Sequence, residues 1–289
     1  MIISYHCQGR LGNNIFQYIA VKIVQKYIND IYKYDKCQYE FNRRETIFSE
    51  FSYLQFYRLL KHCVINGRIE GMLSQFTSIN WFFDGFFQFD EHIRENLDFV
   101  KSLFTEDNED RINNDFRVCD IVKRIYENKV SFNPDDIVTH VRLDDFKNGN
   151  IILDWKYVTN IMKGEGKIYK QGEIMGKIYV VVDKLKSEYE LDYIRGMLSD
   201  IPFKLISNTD MFKDLAYLWY APNLICNNST FCWLGYIFGE NKKSWMPKNL
   251  MLNPPQHFET VKPETIVYEW NTWTWVKRQE TLEKKELKE

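Results

Sequence analysis

The sequence predicts an α/β protein with a parallel, doubly wound sheet, and three observations carry that reading. In the second half, short runs rich in Val, Ile and Tyr alternate with segments of helical apolar spacing, joined by short connections. The chain opens in the same way, with an apolar stretch, a glycine-punctuated turn and a long helical pattern. The third observation is the apolar run Val138-Thr139-His140-Val141, which leads straight into Arg142-Leu143-Asp144-Asp145-Phe146. In an open α/β sheet the carboxyl end of a strand is where ligands sit, so charged residues there have a use.

Residues 2–7 read as a short buried strand, and Gly9-Arg10-Leu11-Gly12-Asn13 turns the chain. A helix is expected from there to about Asn29, because Ile15, Phe16, Ile19, Ala20, Ile23, Val24 and Tyr27 recur at helical spacing. Residues 31–110 are aromatic and charged without a clean period; helices are expected around 46–64 and 90–104. The acidic run Glu106-Asp107-Asn108-Glu109-Asp110 reads as a solvated loop, and a helix from Asp115 to Asn128 follows.

Strands are then expected at Ile137–Val141 and Lys177–Val182, the second ending at Asp183. A helix from about Ser187 to Leu198, a strand at Phe203–Ile206 and a helix at Phe212–Tyr220 come next. A strand at Asn223–Cys226 and a helix at Phe231–Phe238 complete the alternation. Lys163 to Gly176, with its four glycines, reads as a mobile loop. The charged tail after Lys277 is expected to fray, and Trp270, Trp273 and Trp275 to pack back on the body. At 289 residues the chain exceeds what one hydrophobic core usually serves. The expected division is an N-terminal domain over 1–132, a C-terminal domain over 133–276 and a charged tail over 277–289.

Composition excludes several classes. With 45% hydrophobic and 27% charged residues the chain is globular rather than disordered. A net charge of −2, with both signs mixed along the chain, lacks the basic footprint of a nucleic-acid binder. No apolar run is long enough for an integral membrane helix. The N-terminus lacks the layout of a signal peptide, so a cytoplasmic location is expected. The six cysteines are scattered without a Cys-x-x-Cys pair, the pattern of buried free thiols rather than of a metal site.

Arg142 leads the candidate residues, because a planar, permanent cation at a strand end suits a diphosphate. A structural Arg paired with Asp144 or Asp145 has the same pattern. His140, on the same strand face, is a candidate for proton transfer, with a structural histidine as the alternative. Asp145 and Asp144 are the nearest carboxylates to the expected reacting centre, and a loop aspartate bonded to backbone is the alternative for either. Asn227-Asn228-Ser229-Thr230-Phe231 precedes an apolar helix and offers hydroxyls and helix N-terminal amides to an anion, beyond simple capping. Trp81, Phe82 and Phe83 read first as core packing, with stacking on a sugar as the alternative. Walker, His-Glu-x-x-His, Gly-x-Ser-x-Gly and Asp-x-Asp patterns are all missing, so nothing in the sequence calls for a metal.

Several of these segments resemble one family. Gly9-Arg10-Leu11-Gly12-Asn13-Asn14-Ile15-Phe16-Gln17-Tyr18 is similar to the opening signature of the α-1,2-fucosyltransferases, glycosyltransferase family eleven. Asp84-Gly85-Phe86-Phe87-Gln88, His140-Val141-Arg142-Leu143-Asp144-Asp145-Phe146, Asn228-Ser229-Thr230-Phe231-Cys232-Trp233 and Met246-Pro247-Lys248 resemble further segments of that family, in the family's order. The resemblance implies a GT-B-like architecture with two Rossmann-like domains facing a cleft. It also implies a metal-independent inverting glycosyltransferase with GDP-β-L-fucose as donor substrate and no cofactor. The implied acceptor is a glycan or glycolipid, fucosylated on O2 of a galactose-like residue, which leaves room for peripheral membrane association.

By motif position, Gly9, Arg10, Gly12, Asn13, Arg142, Asp214, Asn228, Ser229, Thr230 and Phe231 would bind the donor. Asp145 is the first candidate for the base and His140 the second, with Arg142 meeting the leaving diphosphate. Leu143 and Asp144 depart from the family's second Arg and Gly, and Asn14 from its Gln. The first two departures allow a different nucleotide-sugar donor. A catalytically silent nucleotide or glycan binder is the remaining alternative.

Overall fold

A computed structural model describes residues 2–7, 9–32, 37–40, 46–66, 81–85, 87–88, 90–142, 158–159, 161–162, 169–170, 173–174, 176–182, 188–198, 201–207, 210–227, 229–247 and 265–268. The chain forms two compact units, Met1–Lys123 and Arg124–Glu289. Both are α/β with parallel main sheets, as the strand and helix alternation predicts.

The first unit opens with β1 (Ile2–Tyr5) and α1 (Leu11–Tyr32), followed by the short strand β2 (Gln38–Tyr39). Strand β3 (Thr46–Ser49), helix α2 (Glu50–Asn66) and β4 (Trp81–Asp84) complete the sheet, in the order β2-β1-β4-β3. The apolar stripe read from the sequence is the face α1 buries: Ile15, Phe16, Ile19, Ala20, Ile23, Val24 and Tyr27 are all in the core. The helix expected over 46–64 begins only at Glu50, because Thr46–Ser49 pairs in parallel with β4.

Within the aromatic triplet at β4, Phe82 and Phe83 take the core-packing role. Phe82 and Phe83 are buried strand residues, and Phe83 meets Tyr53 edge-on at 5.7 Å and Phe87 at 5.8 Å. These two rings hold the core together, and neither is offered to a sugar. The side chain of Trp81 lies outside the description.

Helix α3 (Asp90–Glu95) and helix α4 (Leu97–Ser102) replace the single helix expected over 90–104. Asn96 separates them, and its amide donates to His92 O at 2.8 Å, a local bond that competes with helix continuation. In the acidic run only part is solvated: Asp110 accepts from Tyr18 Oη at 2.8 Å and pairs with Lys22 at 3.1 Å. Helix α5 (Val118–Glu127) starts later than expected because Asn113 Oδ1 accepts from the backbone of Asp115 and Phe116 and holds a turn there. The division between the two units falls within α5, after Lys123.

In the second unit β5 (Ile137–Val141) and β8 (Ile178–Val182) are buried along their whole length. Between them in sequence lies a small antiparallel hairpin, β6 (Tyr169–Lys170) with β7 (Glu173–Ile174), inside the segment expected to be a loop. Helix α6 (Glu188–Leu198), β9 (Lys204–Ser207), helix α7 (Met211–Trp219), β10 (Asn223–Ile225) and helix α8 (Thr230–Phe238) follow close to their expected places. Two strands were not expected, β11 (Lys243–Pro247) and β12 (Thr265–Tyr268). The sheet order is β12-β11-β10-β5-β8-β9, all parallel.

Its core joins Ile137, Val141, Ile178, Val180 and Val182 to Ile194 and Leu198 of α6 and to Trp245. Helices α7 and α8 approach closely at Gly235, where a Cβ would come within 2.5 Å of Leu218 Cβ. Among the described residues, no helix is long and apolar enough to cross a membrane. The expectations for Asp183, for Trp270, Trp273 and Trp275 and for the tail fall outside the described residues.

Candidate functional site

Sheet order locates the site. The chain leaves β5 for β8 and β9 on one side, then returns to place β10, β11 and β12 on the other. The reversal therefore lies between β5 and β10, and the crevice beyond their carboxyl ends is the topological switch point of an open α/β sheet. Two candidate segments read from the sequence, His140–Arg142 and Asn227–Phe231, emerge side by side at this point.

The two strand ends are tied together by side chains. Thr139 Oγ1 donates to Ile225 O at 3.0 Å across the strand pair. One step further, Asn227 Nδ2 donates to His140 O at 2.5 Å and lies 3.4 Å from His140 Nδ1. Asn227 Oδ1 accepts from Ser229 N at 2.8 Å, and its backbone carbonyl accepts from Trp233 Nε1 at 3.1 Å. His140 is buried, with the Phe231 ring tilted over it at 5.7 Å. Asn227 is thus the hub of the switch point, a role the sequence did not signal beyond a doubled Asn.

The start of α8 carries a buried hydroxyl that no cap uses. Ser229 occupies the N-cap position with extended backbone, yet its hydroxyl makes no capping bond. Its Oγ is fully buried and has no hydrogen-bond partner among the described residues. Buried hydroxyls without partners are rare and costly, of order 1–3 kcal/mol, so such a group calls for an explanation. No acidic residue occupies the first turn of α8, where the amides and dipole favour an anion. Thr230 follows, also buried, and Phe231 is half-buried. Across the crevice Arg142, half-buried, is the first residue after β5.

Asp214 is buried in the first turn of α7, whose N-cap Asp210 accepts from Phe212 N at 2.9 Å. The parallel connection from β9 puts this turn on the carboxyl side of the sheet, the side of Arg142. Leu143, Asp144, Asp145 and Asn228 lie outside the described residues. Among the described residues no three His, Cys, Asp or Glu side chains are grouped as metal ligands.

The first unit has a switch point of its own, between β1 and β4. Gly9 turns the chain there at φ +76°, and a Cβ on it would come within 2.3 Å of Asn13 Nδ2. Arg10 is exposed, Gly12 buried and Asn13 half-buried. Gln88 Nε2 donates to Asn13 Oδ1 at 3.0 Å, and Gln17 Nε2 to Gly85 O at 2.8 Å, joining the two quoted motifs of this unit. Phe87 between them has φ +52°, a conformation bulky residues rarely adopt. Gln88, absent from the sequence-derived site, is held by this network, with its Oε1 buried and unbonded. Gly9, Arg10, Gly12 and Asn13 are therefore gathered in one unit, and Arg142, Asp214, Ser229, Thr230 and Phe231 in the other.

No family model and no curated protein matches the chain. Among solved structures it is similar to the crystal structure of POFUT1 in complex with GDP-fucose, with a TM-score of 0.46 at 10% identity over 92% of this chain and 97% of that one. A second crystal form of that complex gives 0.43 at 11% identity, covering 84% and 96%. POFUT1 in complex with GDP gives 0.42 at 13% identity, with the same coverage of both chains.

Proposed function

We propose that the chain is an inverting glycosyltransferase that transfers L-fucose from GDP-β-L-fucose to a hydroxyl of a glycan, O2 of a galactose-like residue. The observation that carries this reading is the switch point of the second unit. Arg142 stands at the end of β5, and the uncapped start of α8, with the unbonded Ser229 hydroxyl, stands at the end of the neighbouring β10. A cation and a row of amides and hydroxyls on adjacent strand ends suit a diphosphate. The sequence resemblance of these same segments supplies the donor and the linkage.

In this reading the diphosphate lies between Arg142 and the Ser229–Thr230 turn. The acceptor oxygen attacks the anomeric carbon from the face opposite the leaving group, the bond to the β-phosphate oxygen breaks, and GDP departs. Arg142 and the helix amides meet the charge that grows on the leaving oxygen, which makes their contribution larger in the transition state than in the ground state. Asp145 takes the proton of the acceptor hydroxyl, with His140 the second choice. His140, buried under Phe231 and tied to Asn227, is better placed to fix the crevice wall than to exchange protons with solvent. The diphosphate charge is met by protein groups, so the reading calls for no metal.

Release of GDP from GDP-fucose, with GDP-mannose and UDP-galactose alongside, tests the proposal in wild type and Arg142→Ala. Release confined to GDP-fucose and reduced about a hundredfold to a thousandfold in the variant is expected, the usual cost of about 3–4 kcal/mol for one such contact. Release from another donor would reassign the donor to the environment of Leu143 and Asp144. Absence of GDP binding by calorimetry would overturn the diphosphate reading itself.

A further inference from the structure

The turn that begins α8 is bracketed by two buried cysteines. Cys226 is the first residue after β10, and Cys232 is the third residue of α8. Both are fully buried and unoxidised. The Cys232 thiol donates to Cys226 Sγ at 3.2 Å, and the Cys226 thiol donates to Cys232 O at 3.6 Å. They are the two cysteines of the second unit; Cys7, Cys37, Cys63 and Cys119 belong to the first.

We propose that Cys226 and Cys232 are a reversible disulfide site whose closure reshapes the α8 turn. The sulfur atoms need to approach by only about 1 Å to reach the length of an S–S bond, about 2.05 Å. The ring so closed contains Asn227, Ser229, Thr230 and Phe231, the residues that set the N-terminus of α8 against β5. Oxidation removes the Cys226 bond to the Cys232 carbonyl and draws the first turn of α8 toward the strand end. A shift of that size relative to Arg142 disturbs any ligand held by both, and this consequence rests on the diphosphate reading above.

With hydrogen peroxide as the oxidant the chemistry balances. One thiolate attacks a peroxide oxygen, the O–O bond breaks, and a sulfenic acid and water form. The second sulfur attacks that sulfenic sulfur and expels a second water. Two thiol hydrogens and two electrons have then passed to the peroxide, and a small-molecule thiol reverses the change.

The test uses the intact protein and peptide mass mapping. Cys226 and Cys232 fall in one tryptic peptide, Asp214–Lys242, which contains no internal Lys or Arg. After mild peroxide treatment and blocking of free thiols, this peptide should be lighter by two hydrogens and carry no blocking group. Treatment with dithiothreitol should restore two blockable thiols, and Cys232→Ser should never give the closed peptide. GDP affinity by calorimetry should fall about tenfold or more on oxidation and recover on reduction, with Cys232→Ser unaffected. Two blocked thiols after oxidation, or intermolecular or sulfonic products instead, would overturn the site. Closure without any change in GDP affinity would overturn its effect on the turn. If the reduced protein fails to bind GDP while the disulfide still forms, the diphosphate reading falls and the modification site stands.

Discussion

Asn227→Ala removes the hub of the switch point, and the structure sets the size of the effect. Two buried bonds disappear together: the donation to His140 O at 2.5 Å and the acceptance from Ser229 N at 2.8 Å. The Ser229 amide has a single proton to donate and is fully buried, so leaving it without a partner costs about 1–3 kcal/mol. The His140 carbonyl keeps a second lone pair, and losing one bond there costs about 1 kcal/mol. The sum, roughly 2–4 kcal/mol, corresponds to a fall in Tm of roughly 6–12 °C for a unit of this size at the middle of that range. Thermal unfolding followed by circular dichroism reads it. Asn227→Asp sharpens the test, because it keeps the acceptor for Ser229 N but turns a carboxylate oxygen toward the His140 carbonyl. Its loss should be at least as large as that of the alanine variant. A change within about 2 °C for Asn227→Ala, or a wild-type Tm for Asn227→Asp, would show that the two strand ends are not held by this residue.

His92 gives stability a pH dependence. It is buried beside Tyr53 and Tyr57, and burial lowers its pKa from the ordinary 6.5 to about 3. Between those values the unfolded chain takes up a proton that the folded one refuses, so stability falls as pH drops from about 6.5 toward 3. The slope is about 1.4 kcal/mol per pH unit, and His92→Phe should flatten that part of a urea-unfolding series. Gly235→Ala places a methyl within 2.5 Å of Leu218 Cβ and 2.9 Å of its carbonyl oxygen, so α7 and α8 must separate. Overpacking of about 1–3 kcal/mol outweighs a helix-propensity gain of about 1 kcal/mol, and a lowered denaturation midpoint is expected. An unchanged or raised midpoint would mean that the two helices have room to spare.

β5 and β8 of the second unit were legible because burial on both faces demands unbroken apolar runs, and these two supply them. β4 was not, because Trp-Phe-Phe-Asp reads as core aromatics without a period that marks a strand until its pairing with β1 and β3 is known. β3 was absorbed into the helix that follows without a break at Glu50. β11 starts with Lys243 and Ser244 and ends on Pro247, residues that weaken a strand signal although Trp245 and Met246 lie in the core. Local composition reports burial well and pairing poorly.

The same contrast separates the two halves of the candidate site. Around β5 and β10 the candidate residues lie in short contiguous segments, His140–Arg142 and Asn227–Phe231, and a charge or hydroxyl beside an apolar run stands out in one dimension. The first unit builds its switch point from neutral amides far apart in sequence. Asn14 Nδ2 donates to Gln17 Oε1 at 3.3 Å, Asn113 Nδ2 to Asn14 Oδ1 at 3.2 Å, and Gln88 Nε2 to Asn13 Oδ1 at 3.0 Å. Asn14, Gln17 and Gln88 are each almost wholly buried, so each carries a desolvation cost that bonds such as these and the Gln17 bond to Gly85 O offset. An isolated buried Gln or Asn has no local signature, because its partners are supplied by folding. The network ties Asn13 to Gln88 and Gln17 to Gly85, joining the start of α1 to the residues that follow β4. The mutual bond of Asn13 and Gln88 and the positive φ of Phe87 between Gly85 and Gln88 are both products of the fold. Neither feature could be read from residue types alone.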